Sequence, residues 1–283
     1  MRLLFFLLIF LNVSIFGIDR QKQSVTAISS LFEELVINPL DQRYRKDCKN
    51  FPAQVRIAWQ QRNIAIGELQ FKKCRVVKLE IKPLEESSSF KFLNYTYSVD
   101  FAEDQVRQIC KGWSNVVECR RFETDLKGII KKEVITKKKD EKILISEYCN
   151  YTYEKNKTNI QCYRNDFTEA VYSYIIDYDE KFLMIRKEKK YLDLIESLRP
   201  AKDVTVFQRD YTNNTVKVKT RGEWEDGSVN DWKIDYEVKY DITGNFSEYT
   251  VPSLFPYKYH YDSGKMTIEQ RYSKEEMLTV HIE

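Results

Sequence analysis

Histidine, glycine and proline are all scarce in this chain of 283 residues: 2 His, 8 Gly and 6 Pro. Few glycines and prolines argue against disordered or low-complexity linkers. With only His260 and His281, a multi-histidine metal centre is excluded, and neither a CxxC pair nor any other tight ligand spacing replaces it. A hydrolase triad would have to use one of those two, yet no GxSxG elbow accompanies them. Glycine-rich phosphate loops are missing as well, which removes the common nucleotide-binding classes. Excess charge of one sign is also lacking. The 46 basic and 43 acidic residues leave a formal charge of +3, and a nucleic-acid partner would call for a marked basic surplus.

Only one long apolar run exists, Leu3 to Leu11, behind the positive flank of Arg2. It is short of the ~20 residues a helical span needs, and Asn12 and Ser14 keep it from extending further. The layout predicts a secretory signal peptide over residues 1–17, cut after Gly17. No later run reaches membrane-spanning length, so no integral membrane segment is expected once the signal is removed.

Cysteines and glycosylation sequons point to the same oxidising compartment. Cys48, Cys74, Cys110, Cys119, Cys149 and Cys162 make an even set, read as three disulfides. Sequence does not choose among the fifteen possible pairings, apart from a local one. The stretch CNYTYEKNKTNIQC reads as a hairpin that brings Cys149 beside Cys162. None lies beyond Cys162, so the remaining chain must be held by packing alone. Asn94, Asn150, Asn156, Asn213 and Asn245 open Asn-x-Ser/Thr sequons, several at expected turns or outward positions. The chain is therefore expected to be secreted, extracellular and glycosylated.

Aromatics are abundant, with 19 Tyr and 16 Phe. Val25, Ile28, Phe32 and Leu35 repeat at helical spacing, and Asn38-Pro39 is expected to stop that helix. Alternation then dominates: Val55, Ile57, Trp59; Val77, Leu79, Ile81; Leu93, Tyr95, Tyr97, Val99, Phe101. The stretch AEDQVRQICKGW reads as a short helix bearing Cys110, and YLDLIESLRP as another, with Tyr191, Leu194, Ile195 and Leu198 on one face. Strands fill most of the rest, through YKYHYD, KMTIEQRY and MLTVHIE. The fold class predicted is α+β and strand-rich: curved antiparallel sheets with a few packing helices and a disulfide-stapled N-terminal half. Where cysteines cease, a boundary would divide residues 18–165, a cysteine-containing α+β domain, from residues 166–283, a cysteine-free antiparallel-sheet domain. A single domain is the alternative.

The stretch VKVKTRGEWEDGSVNDWKIDYEVKY, residues 216–240, alternates apolar with charged side chains. A turn at DGSVN would set Trp224 against Trp232, Thr220 against Tyr236 and Val218 against Val238. Glu223–Lys233, Arg221–Asp235 and Lys219–Glu237 would then fall opposite one another on the outer face. Its aromatic face is core packed on the 191–198 helix, or the wall of a ligand cavity lined by Trp224, Trp232, Tyr236 and Tyr240. Acids at Glu223, Glu225, Asp226 and Asp231 cluster at the turn, but DGSVND lacks calcium-loop spacing. The basic runs 137–142 and 186–190 carry acids among them and read as solvated turns or edges, with anionic lipid or glycosaminoglycan as the rival partner.

Residues 191–250, a helix followed by long curved strands, resemble the second half of small secreted nematode proteins with the nuclear-transport-factor-two-like fold. That resemblance implies a cone, a bent antiparallel sheet closed by helices around an apolar pocket. The segment has no matching Asp–His pair, so no catalytic residue carries over.

These readings converge on a secreted, non-enzymatic binding or interaction glycoprotein, using an aromatic-lined pocket or sheet face. Its partner would be a small apolar ligand or another extracellular protein, not nucleic acid. Catalytic, metal and cofactor-binding residues are expected to be none. The alternatives are an extracellular hydrolase using His260 or a carboxylate pair, and a structural glycoprotein.

Overall fold

The computed structural model describes residues 33–44, 53–72, 75–85, 93–102, 105–164, 168–192 and 199–283. The signal peptide, Val25, Ile28, Phe32, Cys48, Cys74 and the 193–198 part of the expected 191–198 helix lie outside them.

A π-helical turn, Glu33–Ile37, runs directly into helix α1, Asn38–Tyr44. Pro39 thus sits in the first turn of an α-helix where a stop was expected. Strands follow: β1 Ala53–Trp59, β2 Arg62–Lys72, β3 Arg75–Pro83, β4 Tyr95–Ala102, β5 Gln105–Trp113 and β6 Val116–Thr124. Next come β7 Ile130–Lys139, β8 Lys142–Glu154, β9 Lys157–Arg164, β10 Tyr172–Tyr178, β11 Met184–Tyr191 and β12 Lys202–Asp210. The last six are β13 Thr215–Glu223, β14 Lys233–Tyr240, β15 Phe246–Thr250, β16 Tyr257–Asp262, β17 Lys265–Arg271 and β18 Met277–Ile282.

Each strand pairs antiparallel with its sequence neighbours, and β18 pairs with β1, so the sheet closes into an 18-stranded up-and-down barrel. At the seam Val55 faces Ile282 and Ile57 faces Val280. Reciprocal backbone bonds between Gln54 and Glu283, at 2.8 and 3.0 Å, continue the seam past the strand ends. Closure leaves no edge strand to be capped or charged against aggregation. β9 and β10, on either side of residues 165–166, are hydrogen-bonded neighbours, with Cys162 opposite Tyr172.

Two expectations are corrected here. The fold class is not α+β, because the described residues contain one short helical segment against eighteen strands of a single closed barrel. The nuclear-transport-factor-two-like resemblance fails for the same reason: that fold is an open bent sheet closed by helices, whereas here strands close on strands. The AEDQVRQICKGW segment illustrates the misreading. Val106, Ile109, Cys110 and Trp113 fit helical spacing, yet residues 105–113 form β5. Lys111 shares the lumenal face with Ile109 and Trp113, where it meets the Glu33 carboxylate. A charged residue on the inner face breaks the apolar alternation by which strands are recognised.

The inner face is identified by packing. Leu35, Val36, Ile37 and Leu40 of the helical segment are buried in one cluster with Val55, Ile57, Leu69, Leu79, Ile81, Tyr95, Tyr97, Met266, Ile268, Val280 and Ile282. Register partners share a face, so the helical segment lies inside the barrel. A ring of this many strands is too wide for its own side chains to fill. The helix fills part of the lumen on the β1–β4 and β14–β18 side.

Elsewhere the inner face is polar and aromatic. A second buried cluster joins Cys149, Cys162 and Ile160 with Tyr151, Tyr172, Tyr174 and Ile176. The buried Glu133 accepts a hydrogen bond from the Tyr151 hydroxyl at 2.6 Å and faces the Arg120 guanidinium at 3.3 Å. Glu147 accepts from Tyr172 and pairs with Arg164 at 3.5 Å. The Tyr191 hydroxyl donates to Asp203 at 2.8 Å, and its pKa is pushed up to about 12 by burial and by that acceptor. Each buried carboxylate thus has its partners, as burial of charge demands.

The expectation of no integral membrane segment is also overturned. It came from scanning for a long apolar run, and a closed antiparallel barrel is one of the two architectures able to span a bilayer. No helix among the described residues is long and apolar enough to cross a membrane, which says nothing of a barrel. Outward positions of β2 and β3 carry Ile66, Glu68, Gln70, Lys78, Glu80 and Lys82, with Glu80 paired to Lys82 at 2.7 Å and to Lys78 at 3.5 Å.

Candidate functional site: a lumenal cavity between the helix and β12–β15

Alternate hairpin turns lie at the same end of an up-and-down barrel. The β10–β11, β12–β13 and β14–β15 turns therefore ring one mouth, and the β13–β14 turn sits at the other. The turn after β14 is built by Asp241, whose carboxylate accepts from the amides of Thr243 at 2.8 Å and Asn245 at 2.9 Å. Gly244 supplies the left-handed residue this four-residue turn requires, at φ 85°. Asp210 does the same work after β12, accepting from Thr212 at 2.9 Å and Asn213 at 3.1 Å. Asn213 bonds hold the Asp210 carboxyl below its ordinary range. For Asp241 burial acts upward, but the Thr243 and Asn245 bonds outweigh it and the net shift is downward.

Below these turns a cavity of about 670 Å³ opens between the helical segment and the inner wall. Phe207, Val216, Tyr236, Val238, Tyr240, Phe246 and Tyr249 form the wall; Glu34, Asn38 and Asp41 come from the helix. Tyr236 and Tyr249 stack with centroids 5.3 Å apart and planes 21° apart. Tyr240 leans on Phe246 at 5.2 Å, and Phe246 on Tyr259 at 5.7 Å. The Tyr249 hydroxyl donates to Glu34 Oε2 at 2.8 Å, tying wall to helix. Burial, with the Glu34 charge added, drives the Tyr249 phenol far above its normal value; burial does the same for Tyr236. Arg209 alone brings positive charge, and its guanidinium donates to the Met184 carbonyl at 2.8 Å. Four carboxylates line the space, so the expected apolar ligand does not match it.

Of the four expected lining residues, Tyr236 and Tyr240 stand in the wall. Trp224 and Trp232 belong to the turn at the opposite end. The Trp224 indole donates to Asn230 at 3.2 Å, and Arg221 lies over Trp232 at 4.6 Å. The expected tryptophan pairing is replaced by a ladder displaced by two residues: Val218 faces Tyr236, Val216 faces Val238, and Lys217 pairs with Glu237 at 3.0 Å. Up to Val218 the faces are kept, because a shift of two preserves parity; past the bulge the register moves by one more, Ile234 pairs with Lys219, and Ile234 is exposed. A bulge between Val218 and Lys219, together with the tight turn closed by the Gly227 amide on Trp224, absorbs the difference. Phe207, Arg209, Phe246, Tyr249, Glu34 and Asp41 escaped the sequence reading. Glu33-Glu34 immediately before the buried run of Leu35 to Ile37 was the available signal, and a weak one, since acids are favoured in any first helical turn.

Two disulfides are formed among the described residues. Cys149–Cys162 lies in the lumen, with both residues buried, while the half-buried Cys110–Cys119 bridges β5 and β6 on the outer face. His260 is exposed, with Glu269 at 3.6 Å, and His281 meets the Thr267 hydroxyl at 3.3 Å. Among the described residues no His, Cys, Asp and Glu group has metal-site geometry. Of the sequons, Asn94, Asn150, Asn156 and Asn213 are exposed and Asn245 is half-buried.

No family model matches the chain, and no curated protein matches it. Among solved structures it is similar to a porin-like protein from Bacteroides uniformis, at 10% identity and a TM-score of 0.38, over 83% of this chain and 96% of that one. It is also similar to a Tc holotoxin pore from Photorhabdus luminescens, at 9% identity and a TM-score of 0.20, over 74% of this chain and 16% of that one.

Proposed function

We propose that this protein is a non-enzymatic binding barrel of an oxidising, extracytoplasmic compartment, which holds a small organic ligand in its lumenal cavity. The observation that carries the reading is the aromatic-walled space of about 670 Å³ between the helical segment and β12–β15, within the size range of small-molecule sites. Its walls are preorganised: Tyr236 stacks on Tyr249, which is hydrogen-bonded to Glu34. A preformed wall lowers the ordering cost of binding. Two disulfides support the compartment. The test is binding of a panel of small aromatic compounds, followed through the tyrosine ring resonances. Val216→Trp, which places an indole in the cavity, is expected to weaken binding by at least about tenfold. Unmoved Tyr236 and Tyr249 signals across the whole panel would remove the proposal.

A further inference from the structure

We propose that the cavity selects an organic cation, an ammonium group carried on an apolar or aromatic body. This deepens the binding reading above and rests on it. Five charged residues line the space: Glu34, Asp41, Asp210 and Asp241 against Arg209, a net of three negative charges when all are ionised. Arg209 is anchored on the Met184 carbonyl and makes no ion pair with these acids among the described residues, so its single charge leaves the lining net negative.

Asp41 accepts a hydrogen bond from the Val76 amide at 2.7 Å, and the other three carboxylates divide into two sets. Asp210 and Asp241 cap their turns at the mouth, where hydrogen bonds hold both below the ordinary carboxylate range and so ionised. They give the entrance a negative field that draws cations and repels anions. Glu34 stands deeper, half-buried on the helical segment. Among the described residues it makes one hydrogen bond, from the Tyr249 hydroxyl, and no ion pair. A half-buried carboxylate lacking a cation is the group an ammonium would complete. The ring that holds it is part of the Tyr236–Tyr249 stack, and an aromatic face presents negative potential to a cation. Carboxylate, aromatic faces and acidic mouth all favour the same ligand charge.

Three probes of one shape decide the matter: phenethylammonium, phenethyl alcohol and phenylacetate, titrated against the unaltered full chain by calorimetry. The ammonium is expected to bind at least about tenfold more tightly than the alcohol, and the carboxylate not to bind. Glu34→Gln keeps an acceptor for Tyr249 and is expected to erase the ammonium's advantage over the alcohol. Equal affinity for alcohol and ammonium, or tighter binding of phenylacetate, would overturn the cation preference and leave the cavity reading standing. Binding of none of the three would overturn both. Because the comparison of probes is made on the unaltered chain, it stands even if the variant fails to fold.

Discussion

Raising the pH offers a direct test of whether the helix-filled side of the lumen is dry. Tyr95, Tyr97, Tyr249, Tyr257 and Tyr259 are each no more than 6% exposed. Burial raises all five phenols; nearby Glu33 adds to the shift at Tyr95 and Tyr97, and Glu34 at Tyr249. In the unfolded chain the same groups ionise near pH ~10. Folded values above unfolded ones mean that their contribution is complete below pH ~10 and is lost as the pH rises, since only the unfolded chain then releases protons. Each such group removes ~1.4 kcal/mol per pH unit, so the five together remove about 7 kcal/mol for every unit above ~10. A barrel of ordinary stability, ~5–15 kcal/mol, would be exhausted within about one to two units. The expected result is a cooperative collapse between about pH 11 and 12, in which tyrosinate absorbance and loss of β circular dichroism rise together. Gradual ionisation centred near pH ~10 with the β signal intact would refute the reasoning, because it would mean that these phenols already meet water.

The two described disulfides close loops of nearly equal length, with sequence separations of 13 and 9. Loop entropy alone gives each ~3 kcal/mol. Replacing Cys149 and Cys162 with alanine should cost a further ~1–2 kcal/mol, because that pair is buried and leaves a void. Urea midpoints of the two double variants check the order, and a costlier loss of Cys110–Cys119 would contradict it. Glu133→Ala strips the Tyr151 hydroxyl of its acceptor and leaves Arg120 with Glu118 alone, and should destabilise by about 2 kcal/mol; a urea-unfolding change below ~1 kcal/mol would count against a buried charge network. When the chain is secreted from eukaryotic cells, glycans are expected on the exposed Asn94, Asn150, Asn156 and Asn213. Asn245 should stay bare, its amide held by the Thr243 hydroxyl at 2.7 Å. Peptide mapping before and after deglycosylation reads this directly, and a chain without glycans would refute it.

Much of the barrel was written in alternation. Val55, Ile57 and Trp59, or Leu93, Tyr95 and Tyr97, announced strands because a lumen packed against a helix needs apolar residues at every second position. The short loop of CNYTYEKNKTNIQC was enough to place Cys149 across from Cys162. Where the lumen is not packed, the code weakened. Glu133, Glu147, Lys187 and Lys189 face inward among tyrosines, and a strand polar on both faces reads as a solvated edge. The same polarity made β5 look helical.

The cavity was half legible. Tyr236 and Tyr240 follow from the parity of one strand, but Glu34 and Tyr249 are 215 residues apart and meet only because the ring closes. What the sequence determined by itself was local: strands, turns, and which side chains share a face. Closure, the helix within it and the acids gathered at one mouth were decided by tertiary structure. Alternation is a property of neighbouring residues, whereas the number of strands in a ring and what fills its centre depend on a seam between the first strand and the last.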